Sequence, residues 1–446
     1  MLSIIIRNAN NGSINSFRKK LNLKLILALF FGLMFFSSIA SNKDNALKNF
    51  RKKIGNTQYS QLFTRLGEVN ADIKNRGVLF DSISKKELIT GYEYGQFYDW
   101  DLYFENIYLS YYGISKFNFR NLEAFFMLQQ SDGFIKRSFG PKDYGKEDMF
   151  KPFIAQIVLL GSLHERNYQW AKDQYSNLKK YLEKWFSYDD DKNGLVYWPG
   201  GAYHSGMDNQ FTRCVGKSEG ADLNCYLVRE LQAMAVISDK LGMAKEREEF
   251  LKRAKALSDL INKNLWDSAD GFYYDRDELT GKLTKVKSVA GFTPLWAKIA
   301  SKEQAKILVT KHLQNPEEFW VNYPLASYAK SEPDYYQKLK YGECNWRGPA
   351  WIPINYMVCH GLVKYGYKKI AIDLAYRTFD LVLRNKNTRE FFNSETGDGF
   401  GCNPFYGWST LGYFLPLELE MGYDPTDIDN KQLQKLSEKL NINLEL

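Results

Sequence analysis

Apolar residues recur three and four positions apart through most of the chain beyond about Leu102. Arg120–Gln129, Asp148–Leu163, Tyr168–Phe186, Leu223–Gly242 and Ala244–Trp266 keep this spacing, as do Lys302–Leu313, Pro349–Gly366 and Lys368–Asn385. Such positions share one face of a helix, so the pattern predicts a succession of amphipathic helices. Arg76–Ile83 (RGVLFDSI) reads as a strand, and the rest of residues 41–90 mixes short polar and apolar runs. Between the helices a glycine turn returns, at Gly133 (QSDGF), Gly194 (DKNGL), Gly271 (SADGF) and Gly399 (TGDGF). The gaps are 61, 77 and 128 residues, the last being two units of 64. Units of this size predict repeated helical hairpins, each closed by a loop or a short β-ribbon. Residues 60–446 have room for about six, and six hairpins can close into a double ring, an (α/α)6 barrel. The expected fold is therefore all-α, with short ribbons and long loops at the active-site end. No Pro- or Ser-rich linker interrupts it, so residues 41–446 are expected to form a single domain. Loops at one end of such a ring form a funnel, where polar and aromatic side chains can line a pocket.

The first forty residues follow another pattern. A basic stretch, Arg18–Lys24, precedes the apolar run Leu25–Phe36, and Ser38 and Ala40 supply small residues before a cut after Ala40. This is the pattern of a signal peptide, and the apolar run is short for a membrane span. No cysteine follows the cut, which leaves a lipoprotein route unsupported. A periplasmic or secreted protein with no stable membrane insertion is expected. The net charge of +8 owes much to this segment; without it 55 basic residues face 52 acidic ones. That balance argues against nucleic acid as a partner.

Cys214, Cys225, Cys344, Cys359 and Cys402 include no CxxC pair, and the chain has four histidines. Both facts argue against a zinc or multi-histidine metal centre. An odd number of cysteines leaves at least one free thiol. Aromatic residues are 16% of the chain, with thirty Tyr and ten Trp. Apolar faces of sugars stack on such rings, and a packed core uses them as well.

Five aromatic and polar segments sit at helix ends or in long loops: Tyr94–Phe104, Phe126–Ile135, His204–Arg213, Glu343–Tyr356 and Arg389–Ser409. Cleaving a glycosidic bond takes two carboxyl groups. One protonates the departing oxygen, and the other attacks the sugar or activates water. Asp208 and Glu390 lead as that pair, because they stand in separate hairpins that can face each other across a pocket. Taken alone, Asp208 also suits a helix cap or a turn, and Glu390 an exposed helix end. Arg347, in NWRGPAW, can fork onto a carboxylate or sugar hydroxyls, or pair an acid below its loop. Pro349 can open the following helix at its first turn. Trp100 is a candidate stacking ring. Asp101 can accept from sugar hydroxyls or cap a helix.

The ordered segments WDLYF, QQSDG, SGMDN, WRGPAW, EFFNSETG and GWS resemble those of glycoside hydrolase family 63. The likeness is greatest to its compact mannosylglycerate-hydrolase-like branch and more distant to trehalases, and it covers roughly residues 90–415. It implies an (α/α)6 barrel and an inverting exo-α-glycosidase, with Asp208 as general acid and Glu390 as general base. It also implies a sugar pocket shaped by Trp100, Asp101, Gln129, Trp346, Arg347 and Trp408, joined by His204 and Asn209 beside the acid. The substrate it implies is an α-glucoside or α-mannoside, either a glycosyl-glycerate or a short oligosaccharide. Ser394 stands where the family commonly has proline, and Gln210–Arg213 replaces the usual aromatic or Ser-Pro context; the second change is expected to alter the leaving-group site. The chemistry needs no metal or organic cofactor. Two other classes fit a ring of this kind, a sugar epimerase and a non-catalytic glycan-binding protein.

Overall fold

The computed structural model describes residues 23–92, 95–140, 148–213, 217–338, 344–401 and 405–428, with side chains from Asn45 onward. The chain divides into two compact units at Lys53, Met1–Lys53 and Ile54–Leu446. Residues 1–40, expected to be a signal peptide, fall in the first. Residues 1–22 lie outside the described residues, and 23–40 are described as helical backbone alone. Among the described residues, no helix is long and apolar enough to cross a membrane.

Among the described residues, twelve helices account for the ring and its outer layer, beside the short helices Gln169–Asp173 and Gly201–Ser205; the first of the twelve begins in the first unit. They are α1 (Leu23–Asp72, broken at Gly55), α2 (Trp100–Tyr111), α3 (Phe117–Met127), α4 (Ile154–Glu165), α5 (Tyr175–Phe186) and α6 (Ala221–Lys240). There follow α7 (Ala244–Asn264), α8 (Thr293–Trp296), α9 (Lys302–Ile307), α10 (Ile352–Lys364), α11 (Lys368–Leu383) and α12 (Leu411–Met421). The even-numbered helices close a ring: α2 packs on α4, α4 on α6, α6 on α8, α8 on α10, α10 on α12, and α12 returns to α2. Odd-numbered helices lie outside it. α3 packs on α2 and α4, α7 on α6, and α11 on α10 and α12. The part of α1 beyond Ile54 is tied to α11 by Gln58 to Asp380 and by Gln61 to the Leu383 carbonyl. This is the (α/α)6 barrel expected from the spacing of the glycine turns.

Burial explains which helix went where. Ile154 through Ser162 of α4 are all buried, as an inner helix surrounded by others requires. On α7 only Phe250, Ala254, Leu257 and Ile261 are buried, a single stripe at helical spacing. Much of the aromatic surplus serves this core. Trp100, Tyr103, Phe104, Phe153, Tyr226 and Trp296 pack ring against ring inside the inner helices.

The described strands form five two-stranded antiparallel ribbons. The first pairs Val78–Asp81 with Lys86–Ile89, as the RGVLFDSI segment predicts. Gly271 (φ 72) turns the ribbon Trp266–Asp267/Phe272–Tyr273, while Gly399 lies inside a strand pairing with Phe391–Phe392. Several boundaries differ from the periodicity. α1 runs to Asp72 through a region without an obvious period, although Leu62, Leu66, Val69 and Ile73 are buried at helical spacing. Residues 148–153 are not helical, because Lys151 is drawn to Asp99 instead. Pro353, not Pro349, occupies the first turn of α10, and Pro349 lies in the bend before it.

Candidate active site

Chemistry gathers at the end of the ring where the inner helices begin. Trp100 and Asp101 open α2, Trp408 lies in the turn Gly407–Thr410 that leads into α12, and Trp346–Trp351 precede α10. Aromatic contacts join these loops. Trp346 stacks on Trp351 at 3.8 Å and 9°, and Trp351 on Phe391 at 4.5 Å. Trp100 lies 6.0 Å from Trp346 and meets Trp408 edge-on at 5.8 Å. Three separate loops are thereby locked into one wall. The indole nitrogen of Trp346 is buried and has no hydrogen-bond partner, although buried donors are nearly always satisfied.

Glu390 is 3% exposed. Its amide donates to the Phe400 carbonyl (3.1 Å), and its own carbonyl accepts from Trp408 Nε1 (2.9 Å). The thiol of Cys344 donates to its Oε1 across 3.6 Å. On the other side Gly401 (φ 78) lets the chain turn against the carboxylate, where a Cβ would come to 2.2 Å from Oε2. A side chain at 401 would displace the Glu390 carboxylate as well as strain the backbone.

Asp208 follows the short helix Gly201–Ser205 and a left-handed turn at Gly206 (φ 77) that lies against the Trp100 ring. It is half-buried, with Oδ1 fully covered and unpartnered. Burial raises its pKa; Arg137, Lys151 and the Cys344 thiol oppose that rise, and Asp148 adds to it. The net direction is upward, so burial outweighs these neighbours and shifts the carboxyl toward its protonated form. Lys151 is buried with Asp99 at 3.0 Å and stands 5.5 Å over the Trp100 ring. Arg137 donates to the Tyr203 carbonyl (2.6 Å), stacks on the Tyr203 ring (4.7 Å) and pairs Asp148 at 3.6 Å. Asp101 receives the Tyr406 hydroxyl at 2.7 Å; burial, reinforced by Asp99, lifts its pKa to about 6.

The remaining expected residues divide by what they touch. Asn209 ties the acid's loop to the Trp346 loop, accepting from the Trp346 amide (2.8 Å) and donating to Tyr336 Oη (3.0 Å) and Asn345 Oδ1 (3.2 Å). Arg347 lies 4.5 Å over the Tyr336 ring and 3.7 Å from Asp334. His204 and Gln129 make tethering contacts within the protein. The His204 ring is buried against Trp185 and Trp198, accepts from the Gly200 amide and bonds the Met149 carbonyl; burial lowers its pKa to about 3. Gln129 donates its amide to the carbonyls of Gly133 and Asn177, joining a turn to α5. Ser394, at the position of the usual proline, exchanges two hydrogen bonds with Gln337 and donates to the Gly348 carbonyl. In the altered stretch after Asn209, Phe211 is 60% exposed. Arg213 is buried with Asp222 and Asp275. Cys344 and Arg137 carried no sequence signal, since neither belongs to a motif that names its chemistry. Cys225, Cys344 and Cys359 are free thiols. Among the described residues, one acidic group could hold a metal ion, Asp189, Asp191 and Glu278. It lies apart from Asp208 and Glu390, and Arg276 and Lys217 already pair two of its members.

A family model described as the mannosylglycerate hydrolase MGH1-like glycoside hydrolase domain matches residues 94–409. The mannosylglycerate hydrolase of Rubrobacter radiotolerans is 28% identical over 200 residues, 44% of this chain and 43% of that protein. The mannosylglycerate hydrolase of Thermus thermophilus is 32% identical over 186 residues, 42% of this chain and 41% of that protein. The matched stretches thus span less than half the length of these relatives. The solved structure of the family 63 mannosylglycerate hydrolase from Thermus thermophilus in complex with glucose superposes with a TM-score of 0.63 at 21% identity, covering 79% of this chain and 99% of that one. The chain belongs to the mannosylglycerate hydrolase-like glycoside hydrolases of family 63.

Proposed function

We propose that the protein is an exported, inverting exo-α-glycosidase acting on an α-mannoside or α-glucoside, with a glycosyl-glycerate the favoured class. The observation that carries the reading is the placement of Asp208 and Glu390 around one thiol, beside a wall of Trp100, Trp346 and Trp408. Protonated Asp208 gives its proton to the departing oxygen. Ionised Glu390 takes a proton from water, which strikes the anomeric carbon from the opposite face. The unpartnered Trp346 N–H is a donor that a sugar hydroxyl would satisfy. Arg137, whose charge acts on Asp208, has a buried Nε without a hydrogen-bond partner, a donor that suits a carboxylate-bearing aglycone. A solved relative from Thermus thermophilus, 21% identical, has Tris and D-glycerate bound. The base role of Glu390, and with it inversion, is carried over from the family motif. The corresponding carboxyl separation is about 6.5–9.5 Å, against about 5–5.5 Å for retention.

The histidines favour hydrolysis over epimerisation. His204 is held by backbone, His312 by Glu318, His360 by Glu418 and Asp424, and His164 sits at the far end of α4. None stands beside the carboxyl pair to exchange a proton with a sugar carbon. Proton NMR of the anomeric signals in the first minutes of reaction tests the mechanism. The β-sugar should accumulate first from an α-linked substrate, and initial α-anomer would overturn it. Export rests on the pattern of residues 1–40. Mass spectrometry of protein from the native host should find a mature N-terminus near Ser41 outside the cytoplasm.

A further inference from the structure

We propose that Cys344 is a positioning residue for hydrolysis, its thiol holding the carboxyls of Asp208 and Glu390 in the arrangement that acid and base require. The inference rests on the acid–base reading of that pair. Cys344 Sγ donates to Glu390 Oε1 at 3.6 Å and is also in contact with the Asp208 carboxyl. It touches both acids, which come from loops 182 residues apart.

The main chain beside it has little freedom. Asn345 accepts from the Arg347 amide (2.9 Å) and from Asn209 (3.2 Å), donates to the Tyr336 carbonyl (3.0 Å), and receives Trp351 Nε1 on its own carbonyl (2.9 Å). The next residue, Trp346, is stacked on Trp351. The backbone that follows Cys344 is thereby held, which fixes the position of its Cα relative to both loops.

Burial, with the negative neighbours Glu390 and Asp208, pushes the Cys344 thiol well above its ordinary pKa. It therefore stays S–H and is a donor, not a nucleophile. A thiol carries one proton, and rotation about the Cβ–Sγ bond can direct it to either acid. Before turnover Glu390 is the ionised partner; after proton donation Asp208 is. The same S–H supports each in turn, and no bond to sulfur is made or broken.

The experiment compares kcat, KM and the pH profile of kcat for Cys344→Ala, Cys344→Val and Cys344→Ser. The substrate is the α-glycosyl-glycerate or α-disaccharide that the wild type cleaves best. Loss of the donor should lower kcat about 10- to 100-fold in the Ala and Val variants, with KM within about twofold. Because the thiol favours the ionised form of each acid, its removal raises both pKa values. The acid limb, set by Glu390, and the basic limb, set by Asp208, should both move to higher pH. Serine restores a donor and should recover most of kcat and the original limbs. Two results would overturn the proposal. One is a wild-type pH profile in both Ala and Val. The other is a kcat loss that serine does not repair although circular dichroism shows a folded chain. Asp208→Asn and Glu390→Gln run alongside. If either still hydrolyses substrate, the acid–base reading fails; if both are silent and Cys344→Ala matches wild type, only the role of the thiol fails.

Discussion

The indole N–H of Trp408 donates to the backbone carbonyl of Glu390 across 2.9 Å. The turn that starts the last inner helix thereby fixes the main chain of Glu390. Trp408→Phe keeps an aromatic ring but deletes the donor, leaving a buried carbonyl unsatisfied at a cost of about 1–3 kcal/mol, to which the smaller ring adds a packing loss. The melting temperature should fall and kcat should fall with it, because Glu390 is no longer held. An unchanged kcat in a destabilised protein would show that Trp408 serves packing alone.

Asp208→Asn and Glu390→Gln should each reduce hydrolysis by at least ~10²-fold, the usual worth of a positioned acid or base. Both changes are nearly isosteric, so far-ultraviolet circular dichroism should match wild type. A variant retaining more than about a tenth of the wild-type rate loses its assigned role.

Arg137 opposes the effect of burial on Asp208. Replacing it with methionine removes a charge that favours the carboxylate, so the acid remains protonated to higher pH. The basic limb of the kcat profile should move upward. A limb that stays in place, or moves to lower pH, would remove Arg137 from the electrostatics of the acid.

Arg213 donates to Asp222 through both Nη atoms (2.9 and 2.8 Å) and to Asp275 through Nε (2.7 Å) and Nη2 (3.1 Å), with all three side chains buried. This triad clamps the end of the acid's loop to the start of α6. Arg213→Met strands two buried carboxylates and should cost roughly 3–5 kcal/mol, read as a drop in thermal or urea midpoint. Arg213→Lys should recover only part of that, since an ammonium cannot reproduce the planar fork. Full recovery by lysine would mean that charge, and not geometry, holds the loop.

Helix content was legible because inner and outer helices repeat their apolar residues at the same three- and four-residue spacing. That spacing does not separate an inner helix, buried all round, from an outer one with a single stripe, so the ring order emerges only from packing. The buried stripe Leu62, Leu66 and Val69 of α1, continued by Ile73 just beyond it, does not stand out in the sequence, because so few apolar positions among polar ones resemble chance. In the site, the motif order placed Asp208, Glu390, Trp100, Trp346 and Trp408 at one end of the ring. It could not separate His204 and Gln129 from sugar ligands, because a side chain that bonds a backbone carbonyl needs the same donors as one that bonds a hydroxyl. Cys344 was passed over for the opposite reason: a single cysteine beside a motif announces nothing until two carboxyls are seen on either side of it.

The even-numbered helices all begin at the end of the ring where Asp208 and Glu390 lie. Five of them run eleven residues or more. Aligned peptide dipoles leave each amino end with the equivalent of about +0.5 elementary charge. Five such ends around one mouth make a fixed positive field that no side-chain substitution removes. It opposes the rise that burial gives the pKa of Asp208. It also draws anionic solutes toward the mouth before any contact forms. Association of a carboxylate-bearing substrate should therefore slow as salt is added, even in a protein stripped of Arg137.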